Sequence, residues 1–499
     1  MATPVSPVDG ATESDRPATL AGPLRATAIL AVGSGLSLLA GAASAKAVAV
    51  LAGTVGVGAV GLFSSLLTVL VLVGGAGFGV AAVRLVAGSL SVGDPGGVRA
   101  TVAAARRMTL LVSSLLAALV IVAREPLSVV LFGSREPAAQ VGLVGAAVPL
   151  LALAGVEVAI VNGFHNVRRL ALVTATTALA TAATLVAGVG LAGTDGVAPG
   201  LLGGAISALV IARAATWGLV PASSGSLDVG PASRRLANIG LPYVGSQLLG
   251  TGAQMLIPFV VLSLLSASDV GLYRAATTLS VAYLAFLLNA MAQDYYPRLA
   301  GARGAPDLRR LAQAQLQLVM AIAAPIVLVA IAVAPIAIQV FYSNAFAPAT
   351  DLLRWQLIGD LVKLPAWVLS FVILARGSGR RFLVVEAVGG VAYAVLATAG
   401  IALLGLEGAG IAYLATYVIY FVAVLVAARP FVGDLRSKEH GLLAGLAVGC
   451  ILGQVARPAV GDLVVSGVMV TVALAWAGLV SLPVVRGRPP GWLDGASRS

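Results

Sequence analysis

The densest concentration of reactive groups in this 499-residue chain is the run WQLIGDLVK, residues 355 to 363. At about 100° per residue, Gln356, Asp360, Lys363 and Trp367 share one face of a helix. Everything around that stripe is apolar, so the stripe must face protein or a water-filled cavity. A carboxylate and an ammonium three residues apart can neutralise each other as an internal ion pair. They can equally line a cavity, where Lys363 meets an anion and Asp360 orients it or exchanges a proton. An ionisable side chain at a bilayer centre costs about 2.5–3.5 kcal/mol on insertion scales, so each one asks for a function.

Other polar residues interrupt apolar stretches. Lys46 has no acidic residue near it in sequence; it either snorkels to an interface or contacts an anion. Arg84 and Arg213 carry the same two readings, and Arg274 opens an apolar span. Glu157 and Glu386 are the acidic counterparts. Either can pair with a neighbouring helix or, with Asp360 and Gln356, form a polar wall that couples an ion. Tyr243, Gln247 and Gln254 lie along one face of a further span, and Tyr413, Tyr417 and Tyr420 along another. Such stripes glue helices together. Hydroxyls and amides beside aromatic rings are also what a saccharide pocket requires.

The elements that position these groups are membrane spans. Hydrophobic residues make up 59% of the chain and charged residues 10%, with a mean hydropathy of +1.01. A soluble protein of this length could not cover its surface so sparsely, so the chain reads as an all-α polytopic membrane protein. By the rule of about 20 apolar residues per crossing, spans fall near 26–50, 58–82, 108–131, 140–163, 170–192, 198–220, 236–265, 271–296, 314–342, 355–375, 382–404, 408–428, 441–457 and 463–484. Most of the 31 Lys and Arg lie in the tails and even-numbered loops, which places both termini in the cytoplasm. The net charge of +11 is therefore a topology signal, and no nucleic-acid partner is expected. One cysteine, Cys450, and two histidines offer no metal site, and no cofactor motif occurs. Residues 1–23 read as a disordered cytoplasmic tail.

A repeat organises the spans. Gly61-Leu62-Phe63 recurs as Gly271-Leu272-Tyr273, 210 residues later; Arg168-Arg169 recurs as Arg380-Arg381 and Asp195-Gly196 as Glu407-Gly408, each 212 later. Six spans fit within that offset, and an even number returns the chain to its starting side. The two halves therefore run parallel, as in transporters that rock two lobes about a central site. The expected lobes cover 24–220 and 236–429, joined by a cytoplasmic linker at 221–235, with two additional helices over 441–484.

The residues also resemble a family. FYSNAFAPATDLLRWQLIGDLVK (341–363), Glu386 and AYLATYVIYF (412–421) resemble the Wzx-type O-antigen and lipid III flippases of the multidrug/oligosaccharidyl-lipid/polysaccharide exporter superfamily. VGLYRAATTLSVAYLAFLLNAMAQDYYPRLA (270–300) is similar to that family's span eight. Lys46, GTVGVGAVGLF (53–63) and Arg84 stand where the family has a basic residue, a glycine-rich turn and a second basic residue. The likeness runs over about residues 24 to 429. It implies two six-helix lobes around a cationic cavity that carries an undecaprenyl-pyrophosphate-linked oligosaccharide from the cytoplasmic to the outer leaflet of the bacterial inner membrane, for surface polysaccharide biosynthesis. It implies that Lys46, Arg84, Arg213 and Lys363 meet the pyrophosphate and that other polysaccharide assembly proteins are partners; Tyr243, Gln247, Gln254 and Tyr417, from the polar and aromatic stripes above, are the candidate sugar contacts. Two features depart from the pattern: two spans follow Arg429, as in lipid II flippases, and Thr54 stands where proline is usual. A multidrug cation antiporter would need an acidic, aromatic-rich cavity, whereas aromatics are 5% of this chain. A membrane glycosyltransferase or ligase would need a long outer loop for its catalytic groups, and none is present.

Overall fold

The computed structural model describes residues 21–221, 229–302, 304–376, 379–433 and 438–485. Most of the tail read at 1–23, and residues 222–228 of the linker, lie outside them. The described residues are helical, with no strand. In chain order the helices are α1 (Ala21–Gly75), α2 (Phe78–Ser91), α3 (Pro95–Val122), α4 (Arg124–Phe132), α5 (Ala138–Gly163), α6 (Val167–Ala192), α7 (Val197–Thr216), α8 (Gly230–Leu264), α9 (Ala267–Gly301), α10 (Ala305–Phe341), α11 (Ala349–Ala375), α12 (Gly379–Leu404), α13 (Leu406–Val432), α14 (Lys438–Val460), α15 (Asp462–Trp476) and α16 (Leu482–Val485).

Eleven apolar helical runs are long enough to cross a membrane. Two of them, Ile29–Gly75 and Val167–Thr216, are 47 and 50 residues long and hold two crossings each. With the 35-residue α9, the fourteen expected spans are all accounted for. The first double run breaks at Gly53, whose φ of 63° and ψ of −158° leave the helical region; glycine reaches this conformation without the penalty a Cβ would impose. Asp94 caps α3, its carboxylate accepting from the Gly97 amide at 2.8 Å, with Pro95 in the first turn. Pro149, Pro242, Pro258, Pro325, Pro335 and Pro365 sit inside helices, where each removes a backbone donor.

Helices α1 to α7 pack as one bundle and α8 to α13 as a second. The repeat is visible where each bundle turns between its fifth and sixth crossings. Gly193 and Gly405 both have positive φ, 59° and 64°. Just beyond, Gly196 lies so close to Gly188 that a Cβ would sit 1.8 Å from the Gly188 carbonyl oxygen; Gly408 stands 1.9 Å from Gly400 in the same sense. All these pairs keep the 212-residue offset. Gly196→Ala and Gly408→Ala are each expected to pry their hairpin open, at more than the roughly 1–3 kcal/mol of ordinary overpacking. A clear drop in the Tm of detergent-purified protein is the expected reading, and an unchanged Tm in both variants would contradict the account.

The bundles meet along α1 and α9 at the first repeat landmark. A Cβ on Gly271 would lie 1.9 Å from the Thr54 carbonyl oxygen, and one on Gly58 2.3 Å from that of Ala267. Gly61 faces the Arg274 side chain, and Ser268 Oγ donates to Thr54 Oγ1 at 2.8 Å. Small residues allow this approach, as at helix crossings in lipid. A second close approach joins Gly77 to Gly240, where a Cβ on either would meet backbone at 2.4 Å. The last helices dock on the second bundle. Arg354 bridges Asp351 and Asp462 at 3.1 and 2.6 Å, Arg457 joins Asp462, and Trp476 Nε1 donates to the Met320 carbonyl at 3.1 Å.

Candidate functional site

Each bundle contains a buried polar centre, and a cavity lies between the bundles. In the first bundle the centre is Glu157 of α5, whose side chain is 1% exposed. Arg106 of α3 grips it as a fork, Nε to Oε1 at 2.8 Å and Nη2 to Oε2 at 2.7 Å. Arg213 of α7 adds a bond of 3.2 Å and the Thr216 hydroxyl one of 2.8 Å. One carboxylate against two guanidinium groups leaves a net positive charge. Arg213 is thus tied to Glu157 by one nitrogen, its side chain still 57% exposed. The sequence places Arg106 among loop charges; because α3 begins at Pro95, it lies inside the helix instead.

The second bundle's centre is built on α11. Asp360 is fully buried and accepts from Ser280 Oγ at 3.0 Å and from Tyr413 OH at 2.8 Å. Lys363 Nζ donates to the same tyrosine oxygen at 2.9 Å. Tyr413 therefore relays between the two charges of the stripe. The ammonium also stands over the rings of Tyr417, Tyr413 and Trp367, 4.9, 5.4 and 5.5 Å from their centroids, a cation–π cage. Gly359 gives the Tyr413 ring its place: a Cβ there would come within 2.7 Å of it. Gln356 donates to Thr277 at 3.0 Å, while its buried Oε1 has no hydrogen-bond partner.

Beside this cage a chamber is lined by Gln254, Glu386, Tyr393, Tyr417 and Tyr420 among others. Tyr420 OH donates to Glu386 Oε1 at 2.6 Å. Of the residues expected to meet sugars, the structure brings Gln254 and Tyr417 to this chamber. Tyr243 is exposed and Gln247 half-buried elsewhere on α8.

Between the bundles, Ser37, Ser44, Ser64, Thr181, Arg274 and Tyr342 help line a cavity of about 480 Å³. Among the described residues Arg274 makes no salt bridge and no hydrogen bond. Sequence alone offers Arg274 as the start of a span; its distinguishing signal was the repeat landmark directly before it. Lys46 lies at the edge of the same cavity but is already engaged. Its ammonium donates to the backbone carbonyls of Gln339, at 3.0 Å, and of Tyr342. Arg84 is exposed on α2, one turn beyond Val80, which lines a separate groove against α5. The four expected pyrophosphate contacts are therefore not gathered at one point. Lys46 borders the inter-bundle cavity, Lys363 sits inside the second bundle, Arg213 holds Glu157 and Arg84 is open to the surroundings.

A profile described as "polysaccharide biosynthesis protein" matches residues 56–351, more than half of the chain. The chain belongs to this polysaccharide biosynthesis protein family. Among curated relatives of this family member, the lipid III flippases of Escherichia coli (strain K12) and Shigella flexneri are each 28% identical over 365 residues, 72% of this chain and 86% of theirs. Among solved structures, lipid II flippase MurJ in an inward closed conformation superposes with a TM-score of 0.68 at 12% identity, covering 93% of this chain and 98% of MurJ. A multidrug-resistance MATE transporter of the MOP superfamily, inward-facing, gives 0.62 at 17% identity over 82% and 95%. The likeness to these two structures is one of fold.

Proposed function

We propose that this protein is a transporter, not an enzyme. It flips an undecaprenyl-pyrophosphate-linked oligosaccharide from the cytoplasmic to the outer leaflet by alternating access of its two bundles. Arg274 carries the reading: an arginine with no salt bridge among the described residues, in a cavity at the seam of the bundles where hydroxyls interrupt apolar walls, in a chain similar to lipid III flippases over 72% of its length. A diphosphate cannot enter about 30 Å of hydrocarbon without a substitute for its hydration. Guanidinium and ammonium donors provide one, with shorter and stronger bonds than neutral groups. Excess basic residues in even-numbered loops favour cytoplasmic termini in the bacterial inner membrane. The lobes over 24–220 and 236–429 are the moving parts, and 441–484 travels with the second through the Arg354–Asp462 contacts. An apolar groove of about 610 Å³ between α13 and α14, with Leu414, Val418 and Ile451 in its walls, offers the polyprenyl tail a bed.

The test is flipping of a polyprenyl-diphosphate oligosaccharide in proteoliposomes. Protein-dependent translocation is expected, and none under any imposed gradient would end the proposal. The sugars and the other assembly proteins follow from the same system, by exchange of the glycan and by pull-down.

Ion coupling narrows to the second bundle, because Glu157 is held by two arginines. Glu386 shares its chamber with tyrosines and Gln254, and Tyr420 is its hydrogen-bond partner. Glu386→Gln is expected to abolish any stimulation of flipping by an imposed proton or sodium gradient while leaving gradient-free exchange in place. Stimulation equal to that of the parent would remove Glu386 from the coupling.

A further inference from the structure

Helix α10 ends at Phe341, so the carbonyls of its last turn have no partner within the helix and carry its negative dipole end. The cation that satisfies Gln339 and Tyr342 comes from the other bundle: it is Lys46, 293 residues from Gln339 in sequence. The same end of the seam carries the Ser268–Thr54 hydrogen bond and the Gly58–Ala267 and Gly271–Thr54 approaches. On the orientation proposed above, this is the outer end. The Lys46 latch also adjoins the cavity. Ser44 and Ala45, its neighbours on α1, line that cavity, and so does Tyr342, whose carbonyl it holds.

We infer that Lys46 is a latch that keeps the outer seam closed, and that a diphosphate in the Arg274 cavity releases it. The inference rests on the proposed transport of a diphosphate lipid, and it adds how the cargo opens its own exit. Carbonyls and a phosphate oxygen compete for one ammonium, and the phosphate adds the attraction of opposite net charges to the hydrogen bond, which the carbonyl dipoles do not. An anion held by Arg274 therefore draws Lys46 off α10. The last turn of α10 is left without its cation, and the closed seam loses the bond that joins α1 to α10. A ligand shifts such an equilibrium only through its different affinity for the two states. Lys46 supplies that difference, because its bond to the anion forms only once the latch has broken.

The experiment uses full-length protein in proteoliposomes with Cys450→Ser and Ser64→Cys. Position 64 lines the cavity one turn deeper than Gly61, and the probe is a membrane-impermeant maleimide added on the outer side. Undecaprenyl pyrophosphate and inorganic pyrophosphate are tested separately, so that a lipid headgroup and a free diphosphate are distinguished. With Lys46 present, undecaprenyl pyrophosphate is expected to speed labelling about tenfold. Lys46→Met is expected to label at the fast rate without ligand and to gain nothing from it. Lys46→Arg, which can still grip carbonyls, is expected to restore a slow basal rate and the response. If Lys46→Met labels at the slow parental rate while losing ligand affinity, Lys46 is a cargo contact only and the latch is overturned, with the transport proposal intact. If the parental protein neither binds undecaprenyl pyrophosphate nor changes its labelling, the transport proposal itself falls. A response to inorganic pyrophosphate alone would place the trigger in a soluble anion and overturn the cargo-driven release.

Discussion

Arg274→Ala is expected to insert and fold like the parent while losing between about tenfold and a hundredfold of its flipping rate. The folding half follows from the surroundings of the residue. Arg274 has no salt bridge to break among the described residues, and its stem packs on Gly61, where a shortened side chain leaves space that opens to the cavity. The transport half follows from its freedom: a hydrogen bond to a charged group contributes about 1.5–3 kcal/mol, and each 1.4 kcal/mol is about a factor of ten. Arg274→Lys should recover part of the rate, since an ammonium keeps the charge but not the planar fork that meets two phosphate oxygens at once. Arg213→Ala is the contrasting control. It removes a Glu157 contact that is not needed for neutrality, because Arg106 still grips both carboxylate oxygens. The measurement is flipping in proteoliposomes beside the elution profile and Tm of the same preparations. Flipping by Arg274→Ala at the parental rate would remove this residue from the path of the anion.

What the sequence revealed, and what it hid, divides along one line. Groups that act along a single helix were legible. The 100° rotation put Gln356, Asp360, Lys363 and Trp367 on one face, and each meets a polar or aromatic partner on that face. The 212-residue offset was legible too, because it is enforced by glycines at backbone contacts where any side chain would collide. Partners on other helices were not legible. Nothing local to Glu157 announces Arg106, 51 residues earlier, and nothing local to Asp360 announces that Tyr413 stands between it and Lys363. Lys46 was hardest. Its acceptors are main-chain carbonyls, which every residue has, so no residue type marks them. Arg274 was visible as a charge, but whether a terminal arginine faces water or a seam depends on how the bundles meet, and a hydropathy pattern does not contain that.

Asp360→Ala is expected to be among the most destabilising single changes in the second bundle, at about 3–5 kcal/mol, because it leaves the buried Lys363 ammonium without its countercharge. Both residues are buried, Asp360 fully and Lys363 to 7% exposure. The aromatic cage offsets part of the cost of the lysine's desolvation but does not neutralise it. Removing both charges together should behave differently. Asp360→Leu with Lys363→Met leaves Tyr413 and Ser280 to find other partners but no buried charge, and apolar replacements for a buried pair are often neutral or stabilising. Measured beside Asp360→Leu and Lys363→Met alone, the double variant is therefore expected to regain most of the Tm lost by Asp360→Leu, a non-additivity diagnostic of direct coupling. A single variant as stable as the parent, or a double variant no better than the single, would show that Asp360 and Lys363 are not balancing each other through Tyr413. The same pair of proteins separates architecture from transport. Flipping restored along with Tm assigns Lys363 to the scaffold of the second bundle. Tm restored without flipping means that its charge is used on the cargo, in a conformation where the tyrosine cage has let it go.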